Sequence, residues 1–202
     1  MGLILYGILM MKTMNKKINI AIFVSGNGTN CENIIRYFKN SEKANVALVV
    51  SNREDAYALT RAEKLGVPTS VMPKSKFNDK TLLMSLMREY DIEFVVLAGF
   101  LLMVPKFLIE AYPHRIVNIH PALLPKYGGK GMYGMHVHES VRANNETESG
   151  ITIHYVSEQC DAGEIIFQAK TPVELSDTPE DIAAHIHVLE QKYFPQIIDK
   201  VL

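Results

Sequence analysis

The chain has 202 residues, 48% of them hydrophobic, and a formal net charge of −1 from 21 Lys and Arg against 22 Asp and Glu. That length suits one domain, with enough apolar side chains to cover a sheet on both faces. The charge balance supplies no basic stripe, so nucleic acid is not an expected partner, and only a local cationic pocket for a small anion stays open.

Residues 2–11 (GLILYGILMM) are apolar but fall well short of the roughly 20 residues that span a bilayer. No basic segment precedes them and no small-residue cleavage pattern follows, so neither a membrane anchor nor a signal peptide is expected. Residues 1–13 are read as an N-terminal extension outside the fold, and 14–202 as a single domain. From Ile18 the chain alternates apolar runs with helical patterns, which is the signature of parallel strands joined by crossover helices. Strands are expected over 18–24, 46–50, around 70–72, over 94–98 and over 116–119. The helices are expected over 29–38, within 51–65, over 78–90 and in a short turn opened by Pro105. Residues 120–134 carry two prolines and four glycines and read as a loop. Residues 151–156 and 165–169 then read as an antiparallel hairpin extending the sheet. Thr178-Pro179-Glu180-Asp181 has the form of a helix start, with the helix running to about Lys200 and bent or interrupted near Pro195.

The two cysteines, Cys31 and Cys160, form no Cys-x-x-Cys pattern. A disulfide framework and a thiolate zinc site are therefore unsupported, and a reducing cytoplasm fits best. Cys31 falls near a helix start, where a thiol can be reactive, but a small packing residue is the favoured reading.

Three segments carry chemistry. Ser25-Gly26-Asn27-Gly28-Thr29-Asn30 lies between a strand and a helix, the arrangement that points backbone N–H groups at an anion. Cys31 stands where a dinucleotide fingerprint would have its third glycine, and the Lys-Ser/Thr pair of a Walker A loop is missing. A phosphate monoester fits better, with a plain tight turn as the competing reading. At the end of the 116–119 strand, Asn118 and His120 are two residues apart and share one side. An amide there can donate to a developing oxyanion while the imidazole moves protons, although an Asn–His pair is often structural. In the third segment (GITIHYVSEQCDAG, 150–163) a strand runs into a turn holding Asp161 and Gly163. Turn chemistry alone explains those two residues. A carboxylate brought against the imidazole would, in addition, raise its pKa.

Taken in order, SGNGTN (25–30), NIHPALLPKY (118–127) and GITIHYVSEQCDAGEII (150–166), helped by LAGF (97–100) and QAK (168–170), resemble the phosphoribosylglycinamide formyltransferase family. The likeness covers nearly all of 15–202. It implies an α/β, Rossmann-like formyltransferase fold: a mostly parallel sheet with helices on both faces and an antiparallel C-terminal extension. It implies formyl transfer from 10-formyltetrahydrofolate to the amine of glycinamide ribonucleotide, without a metal, by a monomer or homodimer acting on small molecules only. Carried onto this chain, Asn118 holds the formyl oxygen, His120 moves the proton and Asp161 is its electrostatic partner. The ribonucleotide falls on Gly28, Thr29, Asn30, Pro121, Lys170 and Glu190. Folate falls along Leu101, Leu102, Met103, Val104 and Asn118, with Ser157, Glu158, Gln159, Cys160 and Asp161 over the pteridine and Lys80 near the glutamate tail.

The chain departs from the family pattern over 128–138, which is longer and richer in glycine and is expected to form a mobile flap. His136 and His138 lack a third ligand in sequence, so a metal pair is not expected; His138 instead matches a family histidine close to the site. His185 and His187 do not share a helix face, but His187 lies one turn before Glu190, at the substrate rim. Two other enzymes share the Asn–His–Asp chemistry. Transfer to initiator tRNA calls for a further RNA-binding domain, and hydrolysis of 10-formyltetrahydrofolate usually comes with an N-terminal regulatory domain. A non-catalytic nucleotide-binding module is the remaining alternative.

Overall fold

The computed structural model describes residues 16–202, so the expected extension over 1–13 lies outside the described residues. These residues form a seven-stranded sheet in the order β3-β2-β1-β4-β5-β6-β7. The strands are β1 (Ile18–Val24), β2 (Ala44–Ser51), β3 (Thr69–Val71), β4 (Phe94–Leu97), β5 (Ile116–His120), β6 (Glu148–Tyr155) and β7 (Ile165–Pro172). β1 to β5 pair in parallel, while β6 and β7 add on antiparallel. The expected α/β class and its antiparallel extension are both present.

Strand alternation sends β1 side chains to two separate cores. Ile20, Ile22 and Val24 pack in one layer with α1 (Thr29–Phe38), α2 (Tyr57–Lys64) and α7 (Pro179–Val201), through residues such as Ile34, Ala62 and Ile186. Ala21 and Phe23 pack in the other, with α3 (Lys74–Phe77), α4 (Lys80–Glu89) and α5 (Lys106–Ala111), through Phe77, Leu83 and Leu108. Cys31 is fully buried in the first layer, and burial pushes its thiol up to about 12, so it is a packing residue.

Three elements differ from the sequence reading. The helix expected over 78–90 is present as α4, which the Asp79 side chain starts by accepting from Thr81 N and Leu82 N at 2.9 and 3.0 Å, but the short α3 ahead of it was not expected. A further helix, α6 (Met135–Ala143), stands where part of a flap was expected. It buries only Val137, His138 and Val141, too sparse an apolar face to read as a period. Finally, α7 runs unbroken through Pro195. Proline has no N–H for the carbonyl four residues back, which is that of Gln191. Asn33 Nδ2, on α1, donates to that carbonyl at 2.8 Å. The Thr178 start holds as read, with Thr178 Oγ1 and Asp181 Oδ2 each accepting the other's backbone N–H.

The strand order reverses between β1 and β4. In an open α/β sheet such a switch point parts the loops beyond the strands' C-terminal ends and leaves a crevice. Those loops here are 25–28 and 98–105.

Candidate active site

A cavity of about 860 Å³ occupies that crevice. Its wall takes in Gly28, Thr29 and Asn30 at one end and Leu101, Leu102 and Met103 at another, with Asn118, His120, Pro121, Cys160, Asp161 and Glu190 between and around them. The three motifs separated in sequence thus meet in one space.

The glycine loop enters α1 through Gly28, whose φ of 79° is left-handed. A Cβ there would come within 2.3 Å of the Ala58 Cβ, so only glycine fits. The α1 start has no side-chain cap, which leaves its first N–H groups to a ligand. Asn30 Nδ2 donates to Glu190 Oε2 at 2.9 Å, and Gln191 Nε2 donates to Asn30 Oδ1 at 2.9 Å. These bonds bring Glu190 of α7 to the loop. Behind the loop, Arg61 holds Asn27 through its backbone and side-chain oxygens and is ion-paired to Glu32. On the opposite side the buried Ser25 hydroxyl accepts from Leu101 N at 2.9 Å, tying the glycine loop to the 98–104 loop.

β5 and β6 build the centre. Antiparallel register sets Asn118 opposite His154 and His120 opposite Thr152. His154 Nδ1 lies 2.9 Å from the Tyr155 carbonyl, which only an N–H can satisfy, so in the neutral ring Nε2 is an acceptor. Asn118 Nδ2 donates to it at 3.1 Å. The amide orientation is thereby set, and its second N–H is left for a ligand. His120 Nε2 donates to the Tyr127 carbonyl at 2.7 Å, so Nδ1 carries the lone pair, 3.6 Å from Asp161 Oδ2. Asp161 accepts from Gly129 N at 2.9 Å and lies 3.7 Å from His154 Nε2. Tyr127 and Asp161 both hold positive φ, 55° and 52°. Backbone strain of this kind collects at functional sites.

The carboxylate was expected to raise the imidazole's pKa. Burial instead pulls His120 below its ordinary value; Asp161 and the Tyr127 carbonyl oppose the shift without reversing it, and His154 adds to it. Burial alone would raise Asp161, but His154, the Gly129 N–H and the charge of His120 together bring it down to about 2.

Several expected residues stand off the cavity wall. Val104 is buried in the second core rather than facing the crevice. Lys80 opens α4 away from it. Ser157 donates to the Gln159 carbonyl at 3.0 Å and Glu158 pairs with Lys106 at 2.9 Å, so of the 157–161 turn only Cys160 and Asp161 reach the wall. Lys170 pairs with Glu148 at 2.7 Å and borders a separate depression of about 290 Å³ under the 123–127 loop. Lys170 lies there because β7 runs along the sheet edge, two strands from β5.

His154, Thr152 and Lys130 carried no local signal in the sequence. For the first two, only the β5–β6 register, which places them across from Asn118 and His120, could have revealed them. Thr152 Oγ1 donates to the Ala122 carbonyl and accepts from Leu124 N and Gln168 Nε2, at 2.7, 3.0 and 2.9 Å. It fixes the turn after His120. His138 does line the cavity as expected, buried, with no hydrogen bond at Nδ1 among the described residues. Burial lowers its pKa, against the pull of Glu190. His136 is exposed and faces Glu139, so the two histidines occupy different environments.

Comparison with known proteins points to one family. Residues 18–198 match the family model described as formyl transferase. The chain is 38% identical over 188 residues to the chloroplastic phosphoribosylglycinamide formyltransferase of Arabidopsis thaliana, covering 90% of this chain and 64% of that protein. It is 37% identical over 185 residues to the Escherichia coli K12 phosphoribosylglycinamide formyltransferase, covering 89% and 85%. The fold superposes on the crystal structure of glycinamide ribonucleotide transformylase 1 from Symbiobacterium toebii with a TM-score of 0.82 at 33% identity, over 91% of this chain and 87% of that one. The chain thus spans just under two thirds of its plant relative and most of its bacterial ones. With the family model matched along the whole sheet and the Asn–His–Asp centre assembled in its crevice, the chain belongs to the formyl transferase family.

Proposed function

We propose that the chain transfers the formyl group of 10-formyltetrahydrofolate to the amine of glycinamide ribonucleotide, a step of purine biosynthesis, in the crevice between β1 and β4. The observation that carries this reading is the convergence of Asn118, His120 and Asp161 on a cavity whose two ends differ in chemistry. The glycine-loop end offers backbone N–H groups, as a phosphate monoester requires. The 98–103 end offers a wall of Leu101, Leu102 and Met103, of which Leu101 and Met103 are more than half exposed, as suits a flat apolar ring system. The names of the Arabidopsis and E. coli relatives support the same substrate.

The folate supplies the formyl carbon; the chain supplies position, a hydrogen-bond donor and a base. The free N–H of Asn118 meets the charge that develops on the formyl oxygen. Burial keeps His120 neutral at pH 7, and the Tyr127 carbonyl holds its proton on Nε2, so Nδ1 receives the proton lost by the attacking amine. The cation so formed lies beside Asp161, which stays ionised because its own pKa is held near 2, and its proton passes to the folate nitrogen as the bond from that nitrogen to the formyl carbon breaks. The unpaired thiols of Cys31 and Cys160 support a reducing, cytoplasmic setting.

The test is direct. The protein is mixed with 10-formyltetrahydrofolate and glycinamide ribonucleotide, and absorbance follows release of the folate product. Release that depends on ribonucleotide is the expected result. Release without it would make the chain a hydrolase, and no release would leave a nucleotide-binding module.

A further inference from the structure

The cavity wall carries two carboxylates, Asp161 and Glu190, yet the proposed substrate brings a phosphate of nearly two negative charges. A helix N-terminus offsets only about half a charge, so the α1 start cannot balance that phosphate unaided. The basic groups around the glycine loop are already engaged. Arg61 is held by Glu32 and Asn27, and His187 lies 3.5 Å from Glu190. Among the described residues, Lys130 is the one Lys or Arg on the cavity wall. No described side chain or carbonyl forms an ion pair or hydrogen bond with its ammonium.

The path of its loop says which substrate group it serves. Gly129, the preceding residue, is anchored to Asp161 at the centre of the cavity. From there the loop crosses the cavity wall to α6, whose His138 feels the charge of Glu190. Glu190 in turn bonds Asn30 of the glycine loop. Lys130 therefore lies on the stretch between Gly129, held at the reacting centre, and α6, which Glu190 links to the glycine loop. Gly129 and Gly131 flank it with φ of 92° and 90°, and a Cβ on either would meet open space. Their role is conformational: they present the intervening lysine on a backbone that other residues rarely adopt.

We propose that Lys130 is a substrate-binding residue for the phosphate of the ribonucleotide, supplying the cation that the glycine loop lacks. This rests on the formyl-transfer reading and adds to it a residue of the 128–138 segment. Lys130→Met removes the charge at similar length, and Lys130→Arg keeps it. In Lys130→Met the KM for glycinamide ribonucleotide should rise roughly 10- to 100-fold, as for loss of one charge-assisted hydrogen bond. The KM for 10-formyltetrahydrofolate should stay within about twofold on the same grounds, and Lys130→Arg should restore most of the affinity. A rise confined to the folate KM would assign Lys130 to the glutamate tail and overturn the proposal, as would no change in either constant. A second measurement does not depend on turnover. Ribose 5-phosphate should raise the melting temperature of the unaltered protein and lose that effect in Lys130→Met. An equal shift in both proteins would overturn the proposal even if the chain transferred no formyl group.

Discussion

Asn118 and His154 face each other across the β5–β6 pair, and the amide of Asn118 donates to the imidazole at 3.1 Å. Since His154 Nδ1 is committed to the Tyr155 carbonyl, the neutral ring holds Asn118 in one of its two flipped states. One amide N–H is bound, and in the proposed reaction the other meets the formyl oxygen. His154→Ala should therefore lower kcat about tenfold, the worth of one hydrogen bond near 1.4 kcal/mol, with both KM values little changed. Asn118→Ala removes the donor itself and should cost about 10²–10³ in kcat. Steady-state kinetics of the two variants checks the order; an His154→Ala rate equal to the unaltered one would remove it from the network.

Asp161→Asn tests the partner of His120. The carboxylate is the main influence raising the imidazole's pKa against burial. Its removal should lower that pKa further, so the acid limb of the rate profile moves to lower pH. The rate at pH 7 should drop sharply while ribonucleotide affinity is kept, because the imidazolium formed during transfer loses its counter-charge. A pH–rate profile with direct titration of the ribonucleotide separates the two effects.

Asp161 also links folding to pH. Its folded pKa, about 2, lies below the ordinary aspartate value of 3.8. A depressed carboxylate contributes stability that is present above pH 4 and is lost as pH falls toward 2. Acid unfolding followed by circular dichroism should show this loss in the unaltered protein and a flatter response between pH 4 and 2 in Asp161→Asn.

Thr152→Val keeps the side-chain shape and deletes one hydroxyl. Leu124 N–H and the Ala122 carbonyl, both served by Thr152 inside the fold, would lose their partner. Urea denaturation should report a destabilisation of about 2–3 kcal/mol. Because the same turn carries the Tyr127 carbonyl that orients His120, kcat should fall as well.

Gly28→Ala adds a methyl group against Ala58 at a left-handed φ. Overpacking of this sort costs roughly 1–3 kcal/mol, and the loop can relieve it only by moving off α2. A lower melting temperature and a higher KM for the ribonucleotide are expected together; a fall in stability alone would leave the loop without a role in binding.

The strands and most helices were legible because apolar periodicity is local and each core layer reads it directly. β1 and α1 match their expected bounds, and the Thr178 cap follows from four consecutive residues. Asn118, His120 and the glycine loop were legible too, through spacing and family likeness. Other features depend on partners far along the chain. Asn33 lets α7 pass Pro195 by serving the Gln191 carbonyl, 158 residues away, and α6 shows too few buried apolar positions to announce itself. Lys170, carried over as a substrate contact, lies instead against Glu148 on the sheet edge.

By itself the sequence determined the α/β class and the order of the strands along the chain, because pleat and helix periods are properties of short segments; the Asn–His–Asp trio came from the family likeness. The tertiary structure decided which of those residues meet. Cross-strand register brought His154 to Asn118 and Thr152 to His120, burial set the direction of the His120 pKa against the pull of its carboxylate, and loop closure put Lys130 on the cavity wall. Register, desolvation and closure all depend on segments that are distant in sequence, and only the packed fold brings them together.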